Sequence, residues 1–364
     1  MTDTSDIRPF RIDIPQADLD DLNLRLANAR WPEELPEVGW EYGIPTHHLR
    51  ELSEYWRDSY DWRANEADLN RYPQFIATIG EQTVHFTHVI SANPDAQALV
   101  LIHGWPFADF RNVIEPLTDD FHLVIPTLPG FGFSGQTNRV GDASTESYAV
   151  VLAELMSLLG YSTYGAHGGD AGSFVAPQLG RIDPEHVVGV HLNGPITIPS
   201  WDDDGVGYSD EDQAKLAKLK DWSSSQTSGY AGMHSTRPQT LAPALNDSPV
   251  GLLGWIADVV HTFANEPIDR DALLTNVCLL WFTSTVGSSM RLYKESGQWG
   301  AAMPSSGVPT AIALFKGDST IRGIAEKQNR VVRWTQFDRG GHFAALEAPD
   351  LLATDIHEFF ATLR

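Results

Sequence analysis

The chain has 364 residues, with 25 Lys plus Arg against 48 Asp plus Glu and a formal charge of −23. A surface that acidic repels phosphate backbones and anionic lipid heads, so nucleic-acid binding and attachment to a membrane surface are set aside. A single cysteine, Cys278, rules out an intramolecular disulfide framework and a cysteine-rich metal site, and it fits a reducing cytosol.

The length allows one large or two ordinary domains. The start, MTDTSDIRPFRIDIPQ, lacks the basic residues and apolar run of a signal peptide. No stretch approaches the roughly 20 apolar residues that cross a bilayer. The expectation is a soluble, cytoplasmic protein. Residues 1–75 are rich in Trp, Pro, Asp and Glu. Leu19, Leu22, Leu24 and Leu26 sit among charges, and Leu49, Leu52, Tyr55 and Trp56 recur at helical spacing. Between them Trp31-Pro32-Glu33-Glu34-Leu35-Pro36 must be irregular, because each proline disfavours helix before it. This reads as a meander lying on the rest, too thin to hold a core of its own.

From about residue 76 strand and helix alternate. Ile76–Ile79 and Thr83–Val89 form a strand pair, and Ala98–Ile102 and Leu123–Ile125 are short apolar strands. A helix covers Tyr148–Leu159, a strand Thr163–Ala166, and Val187–Leu192 is a further strand. Such alternation argues for a mostly parallel sheet covered by helices on both faces. Helical patterns over Asp210–Trp222, Leu252–Phe263 and Ala272–Tyr293 interrupt it. Thr310–Phe315 and Val331–Thr335 resume the strands, and a helix over Leu351–Leu363 closes the chain. An insertion of this kind builds a lid over the strand ends, where open α/β sheets bind ligands. The expected division is a meander over 1–75, a first core part over 76–198, a helical lid over 199–303 and a second core part over 304–364.

The chemistry concentrates in Gly168-Gly169-Asp170-Ala171-Gly172. Small residues two before and two after the central one are what a nucleophile elbow needs, since its strand-to-helix turn leaves no room for larger ones. Serine is the usual centre; here it is Asp170, and no G-x-S-x-G occurs. An Asp capping a helix after a glycine turn would account for the pattern alone. Three features shift the balance. Asp318 follows an apolar strand in Phe315-Lys316-Gly317-Asp318, and His342 stands in Gly340-Gly341-His342-Phe343 after the next. The order nucleophile, acid, histidine is that of α/β-hydrolases. Upstream, His103-Gly104-Trp105-Pro106 ends a strand where that fold places a second oxyanion donor.

The chain resembles the microsomal-type epoxide hydrolases, the branch with juvenile hormone epoxide hydrolases and soluble bacterial members. The likeness runs through Arg30-Trp31-Pro32, Gly39-Trp40-Glu41-Tyr42-Gly43-Ile44-Pro45, Tyr60-Asp61-Trp62-Arg63 and Arg71-Tyr72-Pro73-Gln74-Phe75. It continues in the His-Gly-Trp-Pro and Gly-Gly-Asp motifs, Ala244-Leu245-Asn246-Asp247-Ser248-Pro249-Val250-Gly251 and Gly340-Gly341-His342-Phe343-Ala344-Ala345. It implies the α/β-hydrolase fold and the conversion of an epoxide and water to a vicinal diol through an ester on Asp170. His342 would be the general base, oriented by Asp318. Tyr230 and Tyr293 would be the two lid tyrosines that serve the epoxide oxygen, with the backbone N–H groups of Trp105 and Ala171 as the oxyanion donors. His103, Gly104 and Pro106 would border the substrate, with no metal and no organic cofactor required.

Two departures stand out. The family usually has Trp after the nucleophile, where this chain has Ala171; a pocket wall is lost and a bulkier, hydrophobic or aromatic substrate is expected. The membrane-anchored members carry an N-terminal transmembrane helix, which is absent here. Bacterial members act on xenobiotic or terpene epoxides or in natural-product pathways such as enediyne-antibiotic biosynthesis, and the sequence does not choose among these. Oligomeric state also stays open, a homodimer included.

Other signals carry less. Gly130-Phe131-Gly132-Phe133-Ser134-Gly135 fits G-x-G-x-x-G but follows two prolines and opens no helix, so it reads as a rim loop. Ser200 to Glu211 approaches an EF-hand loop without its first Asp. His85 and His88 point to opposite faces of a strand. Two other readings remain: a haloalkane dehalogenase, for which Ala171 removes the usual halide donor, and a non-catalytic binding protein of the same fold.

Overall fold

The computed structural model describes residues 7–106, 110–199, 205–223, 228–296 and 304–364, the side chains of 220–223 excepted. The near-EF-hand run from Ser200 lies partly outside the described residues. Strand β1 (Ile7–Phe10) opens the chain, followed by helices α1 (Gln16–Ala27), α2 (Thr46–Asp58) and α3 (Trp62–Leu69). Leu19, Leu22 and Leu26 line one side of α1 and are buried, while Leu24 faces out. This is the stripe of an amphipathic helix. The sequence reading missed β1, whose four residues include Pro9. Proline is tolerated there because β1 is the sheet's edge strand. Strands β2 (Gln74–Ile79) and β3 (Gln82–Val89) form an antiparallel hairpin that turns at Gly80, where φ is +57°.

Alternation follows with β4 (Gln97–Ile102), α4 (Arg111–Thr118), β5 (Phe121–Pro126), α5 (Thr145–Leu158), β6 (Tyr164–Gly169), α6 (Gly172–Ile182) and β7 (Val187–Asn193). Ser144 caps α5 by accepting the Ser147 N–H. The run α7 (Asp210–Ser223), α8 (Gly229–Thr236), α9 (Pro238–Asp247), α10 (Pro249–Phe263), α11 (Arg270–Thr283), α12 (Val286–Ser289) and α13 (Arg291–Glu295) is helical. The single helix expected over Ala272–Tyr293 is broken. Ser284 takes a left-handed turn at φ +53° and ends α11. The break lets Ser288 donate to the Gly130 carbonyl and Thr285 accept from Gly132, pinning the loop from Gly130 to Gly135, which borders neither of the cavities that touch Asp170. It also redirects α13, which carries Tyr293. Strand β8 (Pro309–Leu314), α14 (Arg322–Gln328), β9 (Arg330–Gln336), α15 (Ala344–Glu347) and α16 (Pro349–Ala361) complete the chain.

The strand order is β1-β2-β3-β5-β4-β6-β7-β8-β9. Pairs from β1 to β3 and β3 with β5 are antiparallel, and all pairs from β5 to β9 are parallel. The alternation of β4 shows why both faces are covered. Val100 and Ile102 join the larger core with α5, α6 and the inserted helices, whereas Leu99 and Leu101 join the core under α4 and α16. The N-terminal helices lie on α10 and α11. Tyr55 donates to Asp271 at 2.7 Å, and the Tyr60 and Thr275 hydroxyls meet at 2.9 Å. Among the described residues no helix is long and apolar enough to cross a membrane.

One buried polar chain crosses the second face. His191 donates from Nε2 to Asp355 at 3.0 Å and accepts from His167 Nδ1 at 3.0 Å. Arg333 and Thr335 also donate to Asp355, whose side chain is 1% exposed. Burial alone would raise this carboxyl, but His191, Arg333 and Thr335 outweigh it and hold it at about 2. The folded value lies below the unfolded one, so the contribution to stability is complete above about pH 4 and is lost as pH falls towards 2. Asp355→Ala is expected to cost about 3–5 kcal/mol at neutral pH, because it strands buried donors. In urea unfolding the gap to the parent protein should narrow between pH 4 and pH 2; a constant gap would place the loss in packing.

Candidate active site

β6 ends at Gly169 and α6 begins at Gly172, so Asp170 stands at the bend, with φ +50°. A non-glycine residue in that region costs on the order of 1–3 kcal/mol and persists only where the surroundings enforce it. The backbone does so here: a Cβ at Gly168 would lie 2.2 Å from the Gly172 carbonyl oxygen, and one at Gly172 would lie 2.1 Å from that of Ile102. The register of β4 beside β6, Ile102 opposite Gly168, brings the His-Gly-Trp-Pro turn alongside the elbow.

Trp105 therefore donates its backbone N–H to Asp170 Oδ1 at 2.8 Å, and the Ala171 N–H also reaches the carboxylate. His342 Nε2 lies 3.2 Å from Asp170 Oδ2. Burial works against ionisation of Asp170, but His342 and the two N–H groups outweigh it and hold the carboxyl below its ordinary value. Burial likewise works against the imidazolium of His342, and Asp170, Asp318 and Glu347 hold it above its ordinary value. The two groups form a half-buried ion pair.

Asp318 follows β8 and accepts the Phe315 N–H at 2.7 Å. Burial pushes its carboxyl up to about 6. Its charge acts on His342, although no hydrogen bond joins the two.

A cavity of about 410 Å³ opens beside Asp170. Asp170, Ala171, Tyr230, Tyr293, Asp318 and His342 all border it, with Phe174, Ile196, Ile198, Leu219, Phe263 and Leu292 among its apolar walls. Tyr230 on α8 and Tyr293 on α13 meet edge to face, 5.9 Å between ring centroids. Burial above all pushes both phenols well up, so they stay protonated. The helix break before α13 and the packing of α8 against α13 bring together two tyrosines far apart in sequence.

The three residues expected to border the substrate lie elsewhere. His103 turns away: Nδ1 donates to the Gly104 carbonyl at 2.7 Å and Nε2 accepts the Leu128 N–H at 3.0 Å. Its ring braces the loop and, through burial, stays neutral with a pKa of about 4. Gly104 backs onto Asp170, whose Oδ1 would be 2.3 Å from a Cβ there. Both residues border a second, smaller cavity of about 60 Å³ that also touches Asp170, Asn193 and His342. Pro106, joined to Trp105 by a cis peptide bond, borders neither cavity.

Several neighbours carried no usable signal in the sequence. Glu347 accepts the N–H groups of Phe343, Asn265 and Glu266, tying the His342 loop to the segment after α10. Phe263 packs at 5.5 Å from the His342 ring. His234 stands four residues after Tyr230 on α8, an offset that places both on one helix face and was the one available hint. The strand histidines His85 and His88 are engaged apart from the site, with Gln74 and Thr127 and with Tyr161.

The family model described as epoxide hydrolase N terminus matches residues 7–111, and that of the alpha/beta hydrolase fold matches residues 97–248. Epoxide hydrolase 1 of Sus scrofa is 32% identical over 405 residues, covering 98% of this chain and 89% of the relative. Juvenile hormone epoxide hydrolase 2 of Ctenocephalides felis is 33% identical over 398 residues, covering 97% and 85%. The solved epoxide hydrolase of Aspergillus niger superposes with a TM-score of 0.85 at 30% identity, over 98% of this chain and 96% of that one.

Proposed function

This chain belongs to the epoxide hydrolases of the α/β-hydrolase fold, and from that membership we propose how its own residues turn an epoxide and water into a vicinal diol. The observation that carries the reading is Asp170 at the elbow, held by the Trp105 N–H on one oxygen and His342 on the other, with two phenols bordering the same cavity. Asp170 Oδ1 is engaged by the Trp105 N–H, and Oδ2, whose only partner is the longer contact with His342, is the oxygen that attacks a ring carbon. A carboxylate ionised at neutral pH forms an ester with a strained electrophilic carbon. The C–O bond that breaks leaves an alkoxide, and the Tyr293 and Tyr230 hydroxyls hydrogen-bond it and give it a proton.

Ester formation also readies the base. It removes the negative charge that held the His342 imidazolium, while burial still favours the neutral ring. His342 therefore gives up its proton, which through solvent restores the phenol, and the charges balance. The neutral imidazole takes a proton from water, whose oxygen attacks the Asp170 carboxyl carbon. The smaller cavity, touching both groups, has room for that water. Trp105 and Ala171 N–H groups stabilise the tetrahedral oxyanion; one such donor is worth ~10²–10³ in rate. Its collapse breaks the bond from the carboxyl carbon to the substrate oxygen, that oxygen takes the proton of the new carboxyl group, and the diol leaves with Asp170 ionised beside the His342 imidazolium. Asp318 stabilises the charged form of the imidazole through the field it exerts.

The 410 Å³ cavity, its apolar walls and the small Ala171 fit a bulky hydrophobic or aromatic epoxide. Trp105 Nε1 is committed to Ser289 at 3.1 Å, so it offers no donor to a departing halide. A cytosolic site of action fits the one buried cysteine. An aryl epoxide and a chloroalkane assayed side by side test the reading. Diol from the first and no chloride from the second is expected; chloride release without diol overturns it. Tyr293→Phe and Tyr230→Phe should each slow ester formation about 10–100-fold and the pair on the order of 10²–10⁴, with hydrolysis of the ester little changed. Rapid-quench mass spectrometry of the Asp170 peptide separates the two rates.

A further inference from the structure

His234 is fully buried in α8 and lies among the aromatic rings that line the site. Its Nε2 accepts the indole N–H of Trp255 at 3.0 Å. A ring nitrogen that accepts holds no proton, so the other nitrogen, Nδ1, must carry it. Burial lowers the pKa of this ring to about 3, and it stays neutral and in one tautomer across the working range. Nδ1 is buried and has no hydrogen-bond partner. An unmade bond of that kind costs about 1–3 kcal/mol, so the position is held for something other than stability.

The rings around it suggest what. His234 meets Trp105 at 4.6 Å and 72°, Tyr293 at 4.8 Å and 76°, and Tyr230 at 5.5 Å and 86°. All three contacts are edge to face, the geometry in which the positive edge of one ring rests on the negative face of the other. Tyr230 and Tyr293 touch each other as well, and Trp105 stacks on Tyr230 at 5.9 Å. The imidazole thus abuts both phenols and the residue whose N–H holds Asp170. Its angle is fixed by one hydrogen bond from Trp255, on a different helix.

We propose that His234 is a positioning residue for ring opening: locked by Trp255, it sets the orientation of Tyr230 and Tyr293 relative to Asp170. The inference rests on the roles given above to the two phenols and Asp170. His234 touches no reacting atom. It acts through the phenols, so it matters for ester formation, which needs their hydroxyls aimed at the ring oxygen, and not for ester hydrolysis, which runs through His342. A misplacement of about 1 Å at a reacting group can cost on the order of 10²-fold.

The test uses the full chain and stilbene oxide as the probe. Ester formation is followed on the Asp170 peptide in the His342→Gln background, and ester decay in the otherwise unaltered protein after a rapid mix. His234→Leu removes both ring nitrogens. It should slow ester formation about 10–100-fold and leave decay within about twofold. His234→Gln keeps an acceptor for Trp255 but loses the ring edges that rest on Trp105, Tyr230 and Tyr293, and should recover only part of the lost rate. Trp255→Phe leaves Nε2 without its donor and should slow the same step to a smaller extent; with His234→Gln it carries the test if His234→Leu does not fold. Unchanged ester formation in these variants, or equal slowing of both steps, overturns the proposal. If the His342→Gln protein itself forms no ester on Asp170 while the unaltered protein yields diol, the underlying reading of Asp170 fails, and this inference with it.

Discussion

Asp170→Ala is expected to abolish diol formation, with kcat falling on the order of 10⁶, the loss that removal of a nucleophile produces in a serine hydrolase. No neighbouring group can take over. Asp318 accepts the Phe315 N–H and is pushed up to about 6 by burial, and Glu347 is engaged by three backbone N–H groups. Folding should not suffer in proportion. The change leaves the left-handed backbone in place and strands the Trp105 N–H and the cationic partner of a carboxyl that the fold holds below its ordinary value, so a loss of about 1–3 kcal/mol is expected. The variant should stay folded at the assay temperature and melt a few degrees below the parent. A variant unfolded at that temperature would give Asp170 a structural role as well.

His342→Gln is expected to stop the reaction half-way. Asp170 keeps its N–H donors from Trp105 and Ala171, so alkylation proceeds. Water then lacks a base, and hydrolysis should slow on the order of 10²–10⁴. One equivalent of substrate should be consumed in a burst, and the protein should gain the mass of the epoxide on the Asp170 peptide. Unmodified protein after exposure to an epoxide that the parent turns over would contradict the assigned division of labour. The amide leaves Asp170 without its cationic partner, so its carboxyl should titrate higher than in the parent.

What the sequence disclosed, and what it hid, follows from where each constraint resides. The elbow was legible because its sterics act over five consecutive residues: the turn at Asp170 excludes side chains at Gly168 and Gly172. The strands were legible as apolar runs, and Asp318 and His342 were found as polar residues just beyond them. The break after α11 was not, because Ser284 adopts the left-handed conformation without the glycine that usually signals it. His103 shows the limit of motif reading. It shares a turn with Trp105, yet its ring is drawn to Leu128 and away from the large cavity. Glu347 and His234 act through partners distant in sequence, Asn265 and Trp255, and no local pattern records those contacts.

The most direct test of the covalent route is one turnover in ¹⁸O-labelled water with enzyme in excess over an aryl epoxide. The ester route delivers an Asp170 oxygen to the diol and a water oxygen to Asp170. The first-turnover diol should therefore be unlabelled, with the label found in the Asp170 peptide. Label in the diol and none in Asp170 would mean that water attacks the epoxide directly, and the central claim would be wrong.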